Sequence, residues 1–499
     1  MSGNGWRRGL PVLYRLPMDV PQNYYSAFAA RDARFDGVFF AGVTSTGIYC
    51  RPVCTAKTPK AANCKFFANA QSAEAAGFRP CLRCRPELAP GYAPVDDAPR
   101  IAQMIAARLE EDMSLGDIAA QFDLSTRQIR RIIRAEMGVS PIELLQSRRL
   151  LLAKQLLTDT ALPVTEIAYA SGYRSLRRFN DAFLKRYRMP PSRLRKQVKT
   201  DGIAAGDSST LLLSYRAPYD WDGILAFLGA RALKGVEAVV AGQYLRTVRL
   251  GKYKGWVRVG HAPERSALTV EFSHALLPVL PVLLARLRNL FDLGARPDVI
   301  AAYFANDKTI GKMVKRNPGQ RVPGAFDVFE LTVRAILGQQ VSVKAATTLG
   351  GRFIEGFGEK LKTPFPDLTH LSPLPGAIAK LEEGDIARLG INGARARSIL
   401  ALASGFASGA LVLEPGVNPD AAIQQLDDIP GIGPWTAHYI AMRALRWPDA
   451  FPTGDIGVMN NLGGMTAKDA DRMAEKWRPW RSYAVLHIWH NPQMPKDKK

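Results

Sequence analysis

LDDIPGIGP (426–434) runs directly into WTAHYIAMRAL (435–445). An apolar residue, then Pro-Gly-Ile-Gly, then a helix-forming run is the pattern of a helix-hairpin-helix. Gly431 and Gly433 let the chain turn tightly and leave amide N–H groups at a helix N-terminus. Such a nest holds a phosphate without reading base sequence. Taken alone, the same pattern also suits an ordinary αα-hairpin. Twenty residues past Trp435, FPTGDIGVMNNLGG (451–464) brings Asp455 to a helix start after a glycine. An aspartate there is either a plain N-cap or a placed carboxylate.

These two stretches, with VRAILGQQVSV (333–343) and WRPWRSYAVLHIW (477–489), resemble the AlkA-type 3-methyladenine glycosylase family over about residues 211–491. The resemblance implies an α+β subdomain (211–288) ahead of a helical body (289–494). It puts the catalytic aspartate at Asp455 and lines the base pocket with Trp435, Tyr439 and Trp489. An alkylated base carries positive charge, which aromatic faces favour once the base is flipped out. Gln340 falls where the family inserts its base-stack wedge. A polar side chain there departs from the apolar wedge of relatives that carry leucine. The carbonyls of Asp427, Ile429 and Gly431 are implied holders of a monovalent cation, Na+ or K+. Trp435 stands where the related bifunctional lyases have lysine, so no Schiff base forms and a monofunctional glycosylase is expected. No cysteine follows Cys84, which excludes an iron–sulfur cluster.

Upstream, LLLSYRAPY, QYLRTVRLGKYKGWVRVG and SALTVEF alternate or are rich in β-branched and aromatic residues, as strands are. TDGIAAGDSST (200–210) is small and polar, a linker by composition. From about Ala275 the pattern is helical, punctuated by Gly and Pro.

All five cysteines lie near the N-terminus: Cys50, Cys54, Cys64, Cys81 and Cys84. The spacing Cys-x3-Cys-x26-Cys-x2-Cys, made by Cys50, Cys54, Cys81 and Cys84, suits one tetrathiolate zinc. Spacing alone is equally satisfied by a zinc ribbon that only staples a small fold. Cys64, before Phe66 and Phe67, is expected to be buried filler. FDGVFFAGVTSTGIYCRPVC (35–54) and NCKFFANAQSAEAAGFRPCLRC (63–84) resemble the N-terminal domain of the Ada adaptive-response family. That resemblance implies that Cys50 accepts a methyl group from a methylphosphotriester, with the other three as co-ligands. Its domain is set at 18–94. No Pro-Cys-His-Arg sequence occurs, so direct reversal of O6-methylguanine is not expected.

Residues 96–199 read as successive short helices in two helix-turn-helix units. In SLGDIAAQFDLSTRQIRRIIRAEMGVSP, Phe122 to Ser125 make the turn and Ser125 caps the next helix. That helix carries Arg127, Arg130, Arg131 and Arg134. In PVTEIAYASGYRSLRRFNDAFLKRYRMPP, Gly172 sits at the turn before Arg174, Arg177, Arg178 and Lys185. Ile129, Ile132, Ile133, Phe179 and Phe183 are the expected buried stripes. Basic side chains on a second helix suit DNA contact, above all Arg127, Arg130, Arg131, Arg177 and Arg178. A helical bundle with solvated arginines fits one such unit, and two in tandem fit it poorly. The segment resembles the AraC-type DNA-binding domain, which implies transcriptional activation with RNA polymerase as a further partner.

The expected fold is therefore multidomain and mainly α with α+β parts. At 499 residues the chain is too long for one core. Its formal charge of +22 suggests a polyanionic partner, double-stranded DNA. The excess is spread along the chain, from Arg7, Arg8 and Arg15 onward, so no single tail accounts for it. No run of 18 apolar residues and no secretory leader are found, so no membrane contact and a cytoplasmic location are expected. Two rival readings stay open: a transcription factor with a catalytically inactive DNA-binding half, and a repair enzyme whose zinc module only docks.

Overall fold

The structure, a computed structural model, describes residues 21–91, 97–111, 113–197, 206–414 and 417–490. Arg7, Arg8, Arg15 and residues 200–205 of the expected linker lie outside the described residues.

The cysteine module is a four-stranded sheet in the order β3-β1-β2-β4. β1 (Phe40–Val43) pairs antiparallel with both β2 (Ile48–Cys50) and β3 (Cys64–Phe67), and β2 runs parallel to β4 (Arg79–Pro80). Phe39, Phe40 and Tyr49 are buried in its two small cores. Cys64 differs from expectation. It begins an edge strand and is only half-buried. An edge position leaves one side of the strand to solvent.

Two helix-turn-helix units follow, Leu115–Gln121 with Thr126–Met137 and Val164–Ala170 with Leu176–Tyr187. Ser125 closes a capping box with Gln128, satisfying two orphan amides. Gly172 turns at φ +84, a conformation that side chains resist. Between the units runs one 19-residue helix, Pro141–Asp159, longer than the short helices expected. Ser140, Pro141 and Glu143 start it with a capping box and a proline at N1.

The two units are anchored differently. Ile118, Ile129 and Ile133 of the first form a separate core with Ala102, Ile105 and Leu144, and Ile132 packs against it half-buried. Leu156, Ile167, Phe179 and Phe183 of the second belong to the same continuous core as Leu211, Leu213 and the residues beyond. Gln155 Nε2 also donates to the Leu212 carbonyl at 2.9 Å.

That core supports a five-stranded antiparallel sheet, β5-β9-β8-β7-β6. β5 (Ser208–Ser214) starts inside the stretch expected to be linker, because Ser208–Ser214 pairs along β9 (Ala267–Ser273). β6 (Glu237–Val240), β7 (Gln243–Leu250) and β8 (Tyr253–Ala262) complete it. Helices then dominate to Trp489. Buried charge ties sheet to helices: Glu237 accepts from Arg334 Nη1 at 2.9 Å, and Arg246 Nη2 donates to Glu330 at 3.1 Å. Pairing compensates the cost of burying these groups. Among the described residues no helix is long and apolar enough to cross a membrane.

Candidate active site and metal centre

The hairpin lies between helices Pro419–Asp427 and Pro434–Arg443. Gly431 has φ +87, and a Cβ there would run into Ser398 Oγ, so glycine is required twice over. Gly433 precedes Pro434–Arg443 with no side chain capping that helix start. The Gly431 carbonyl accepts from Gln339 Nε2 at 2.8 Å, and the Ile429 carbonyl accepts from Ile432 N at 3.0 Å.

Beside the hairpin opens a cavity of about 1400 Å³. Asp455 lines it and is also the N-cap of helix Ile456–Asn461. Its Oδ1 accepts from Val458 N at 2.8 Å and from Trp489 Nε1 at 2.9 Å. Its Oδ2 accepts from Trp435 Nε1 at 2.8 Å. A carboxylate oxygen has two lone pairs. Oδ1 is therefore saturated and Oδ2 keeps one pair free. All three donors are neutral, so the carboxylate is oriented without being neutralised.

Trp435 and Tyr439, one turn apart on the same helix, stack with centroids 5.3 Å apart and planes at 7°. Trp489 lies 6.4 Å from Tyr439 and stacks on Phe227 at 6.4 Å. The cavity thus brings together Asp455, Trp435, Tyr439 and Trp489, as expected from the sequence. Gln340 is on its exposed rim with φ +52, between helices Val328–Leu337 and Val343–Phe357.

Sequence reasoning missed the basic groups around Tyr439. Arg443 Nη1 donates to the Tyr439 hydroxyl at 2.8 Å. Burial alone would raise the Tyr439 phenol; the guanidinium charges of Arg443, Arg231 and Arg334 outweigh it and hold the phenol below its ordinary range. Arg334 and Gln339 sat inside the stretch VRAILGQQVSV, but no local spacing marked them. Arg231 arrives from the α+β half of the fold.

At the other centre, the Sγ atoms of Cys50, Cys54, Cys81 and Cys84 all lie within 4.8 Å of one another. Zinc at about 2.3 Å from each of four thiolates sets them about 3.8 Å apart, so the donor set fits a tetrahedral zinc. Arg51 N donates to Cys84 Sγ at 3.3 Å, and its guanidinium pairs with Asp36. Arg85, directly after Cys84, pairs with Asp159 at 2.8 Å at the end of the long helix. Arg127, Arg130, Arg131, Arg134, Arg177, Arg178 and Lys185 are exposed on the second helices of their units. None of them forms an ion pair among the described residues.

Comparison with known proteins matches four family models along the chain. These are the metal binding domain of Ada (23–87), a helix-turn-helix domain (118–197), the AlkA N-terminal domain (210–327) and the HhH-GPD superfamily base excision DNA repair protein (333–482). A Mycobacterium tuberculosis protein named "Probable bifunctional transcriptional activator/DNA repair enzyme AlkA" is 37% identical over 484 residues, 94% of this chain and 96% of its own. DNA-3-methyladenine glycosylase 2 of Escherichia coli is 36% identical over 57% of this chain and 99% of its own. The Bacillus subtilis bifunctional transcriptional activator/DNA repair enzyme AdaA is 31% identical over 38% of this chain and 89% of its own. Likeness that runs through the cysteine, helix-turn-helix and glycosylase segments in one alignment places this chain in the family of bifunctional transcriptional activator/DNA repair enzymes of the AlkA type.

Proposed function

We propose that the chain excises alkylated bases from double-stranded DNA and, through its cysteine module, senses alkylation and activates transcription. The division of labour follows modules 18–94, 96–199, 211–288 and 289–494. The observation that carries the enzyme reading is Asp455, gripped by three neutral donors inside an aromatic cavity beside the hairpin.

In this reading Gly431 and Gly433 hold a backbone phosphate, and the everted base enters between the rings of Trp435, Tyr439 and Trp489. Gln340 occupies the gap in the stack as a polar filler. The N-glycosidic bond breaks with its electron pair going to the base nitrogen. Asp455 Oδ2, the oxygen with a free lone pair, faces the sugar and stabilises its positive charge until water adds. Loss of the water proton to solvent leaves an abasic site and free base. The hairpin carbonyls of Asp427, Ile429 and Gly431 would hold Na+ or K+; those of Ile429 and Gly431 each keep one lone pair for it.

At the metal centre, Cys50, Cys54, Cys81 and Cys84 would hold zinc, which when bound would keep their sulfurs as thiolates near neutral pH. Cys50 Sγ attacks the methyl carbon of a phosphotriester. The C–O bond breaks, a phosphodiester anion leaves and Cys50 becomes a thioether. With zinc bound, the thioether would take the formal charge of the centre from −2 to −1, so the module would repel phosphates less and bind DNA more tightly. Arg127, Arg130, Arg131, Arg177 and Arg178 would contact operator DNA, with RNA polymerase as the next partner, in the cytoplasm.

The test is base release from a duplex carrying 3-methyladenine, wild type beside Asp455→Asn. The variant is expected to bind the duplex and release base about 10²–10³-fold more slowly; undiminished release by Asp455→Asn would falsify the assignment. For Cys50, mass spectrometry after exposure to methylated DNA is expected to show one added methyl on that residue.

A further inference from the structure

Three guanidinium groups surround the Tyr439 hydroxyl, and they are not equivalent. Arg443 uses all three nitrogens: Nη1 on Tyr439, Nε on the Pro323 carbonyl at 2.8 Å and Nη2 on the Gly324 carbonyl at 2.9 Å. Arg334 is spent on Glu237 through Nη1 and on the Arg231 carbonyl through Nη2. Arg231 lies over the Phe227 ring at 3.9 Å, donates from Nη1 to the Phe227 carbonyl at 3.3 Å and hydrogen-bonds the Tyr439 hydroxyl. No carboxylate lies within ion-pair distance of it among the described residues. A guanidinium carries five N–H donors in a planar fork. Arg231 thus lines the cavity with donors to spare.

Its position gives those donors a direction. Asp455 marks the sugar end of the cavity. Tyr439 lies one helical turn, about 6 Å, along from Trp435, and its hydroxyl end faces Arg231. In the glycosylase reading, a purine attached through N9 to a sugar at Asp455 would turn its far edge, with the C6 substituent, away from Asp455 into the cavity that Arg231 lines. On a guanine-type base that substituent is a carbonyl oxygen, an acceptor. On an adenine-type base it is an amine, a donor.

From this we infer that Arg231 is a specificity-determining residue that reads the C6 substituent of the flipped purine and favours N7-alkylguanine over N3-alkyladenine. The inference rests on the glycosylase reading above. Repulsion between the guanidinium and the positive charge of the alkylated base is common to both substrates and cancels in their ratio. Hydrogen bonding does not cancel: one base turns an acceptor oxygen toward the guanidinium, and the other turns an N–H toward it.

The experiment measures kcat/KM for release of N7-methylguanine and of N3-methyladenine from otherwise identical duplexes, for wild type, Arg231→Met and Arg231→Lys. Arg231→Met removes the donors and keeps an unbranched apolar stem. Its guanine-to-adenine ratio is expected to fall about tenfold, with Arg231→Lys in between. A general loss of folding or packing lowers both rates together and leaves the ratio where it was. An unchanged ratio in both variants overturns the inference. Wild type that releases neither base overturns the glycosylase reading as well, so the two failures are distinguishable.

Discussion

At the metal centre four identical ligands converge from Cys50 to Cys84, two close pairs brought together by a small sheet. At the cleft a single carboxylate is gripped by indoles 20 and 34 residues away in sequence. Both sites keep negative charge out of bulk water, by opposite means. A dication would bind the sulfurs directly and offset half of their charge. Around Asp455 the contacts are neutral N–H dipoles, which fix direction and leave the carboxylate its full charge. A sulfur nucleophile needs its anionic form made affordable near pH 7; an electrostatic stabiliser needs its charge undiluted.

The largest expected effect separates the two centres by chelation. Structural zinc contributes about 10–16 kcal/mol of folding free energy in small domains. Stripping it should abolish methyl uptake by Cys50 while base release persists, read by mass spectrometry and base release on one sample. Parallel loss of both would mean that the centres are not independent. Next comes Asp455→Asn. Removing the charge while keeping the shape should lower single-turnover excision by about 10²–10³-fold and leave methyl uptake intact.

A finer probe is Trp435→Phe, which keeps a ring for stacking and deletes the donor to Oδ2. A hydrogen bond to a charged group is worth about 1.5–3 kcal/mol, so excision should fall at least about tenfold with duplex affinity nearly unchanged. If affinity falls instead, the indole serves the base and not the carboxylate. The smallest effect is expected from Gly431→Ala. Forcing a side chain into φ +87 costs about 1–2 kcal/mol, and displacing Ser398 adds to it. Urea unfolding should register that loss, and duplex affinity should weaken without any change in which base is released.

The contrast also explains what was legible in the sequence. The cysteine quartet, Ser125, Gly172, Gly431 and Asp455 each rest on a local rule of ligand spacing, capping or positive φ, and each could be placed before any coordinates. Phe227 and Arg231 enter the cleft from more than 200 residues before Asp455, and nothing near them in sequence marks that meeting. The long helix Pro141–Asp159 had a capping box and an N1 proline to announce its start. Its length was missed because its surroundings had been read as a run of short helices. Cys64 was misjudged because composition cannot tell an edge strand from a central one.

The second helix-turn-helix unit shares its interior with the glycosylase sheet through Leu156, Phe179, Leu211 and Leu213. Cutting the chain between residues 200 and 207 would leave two fragments, each with a greasy face that its own residues cannot cover. A cell making this chain therefore cannot set the dose of sensor and the dose of excision enzyme separately. Every molecule that registers the damage arrives already joined, at a one-to-one ratio, to the tool that removes it.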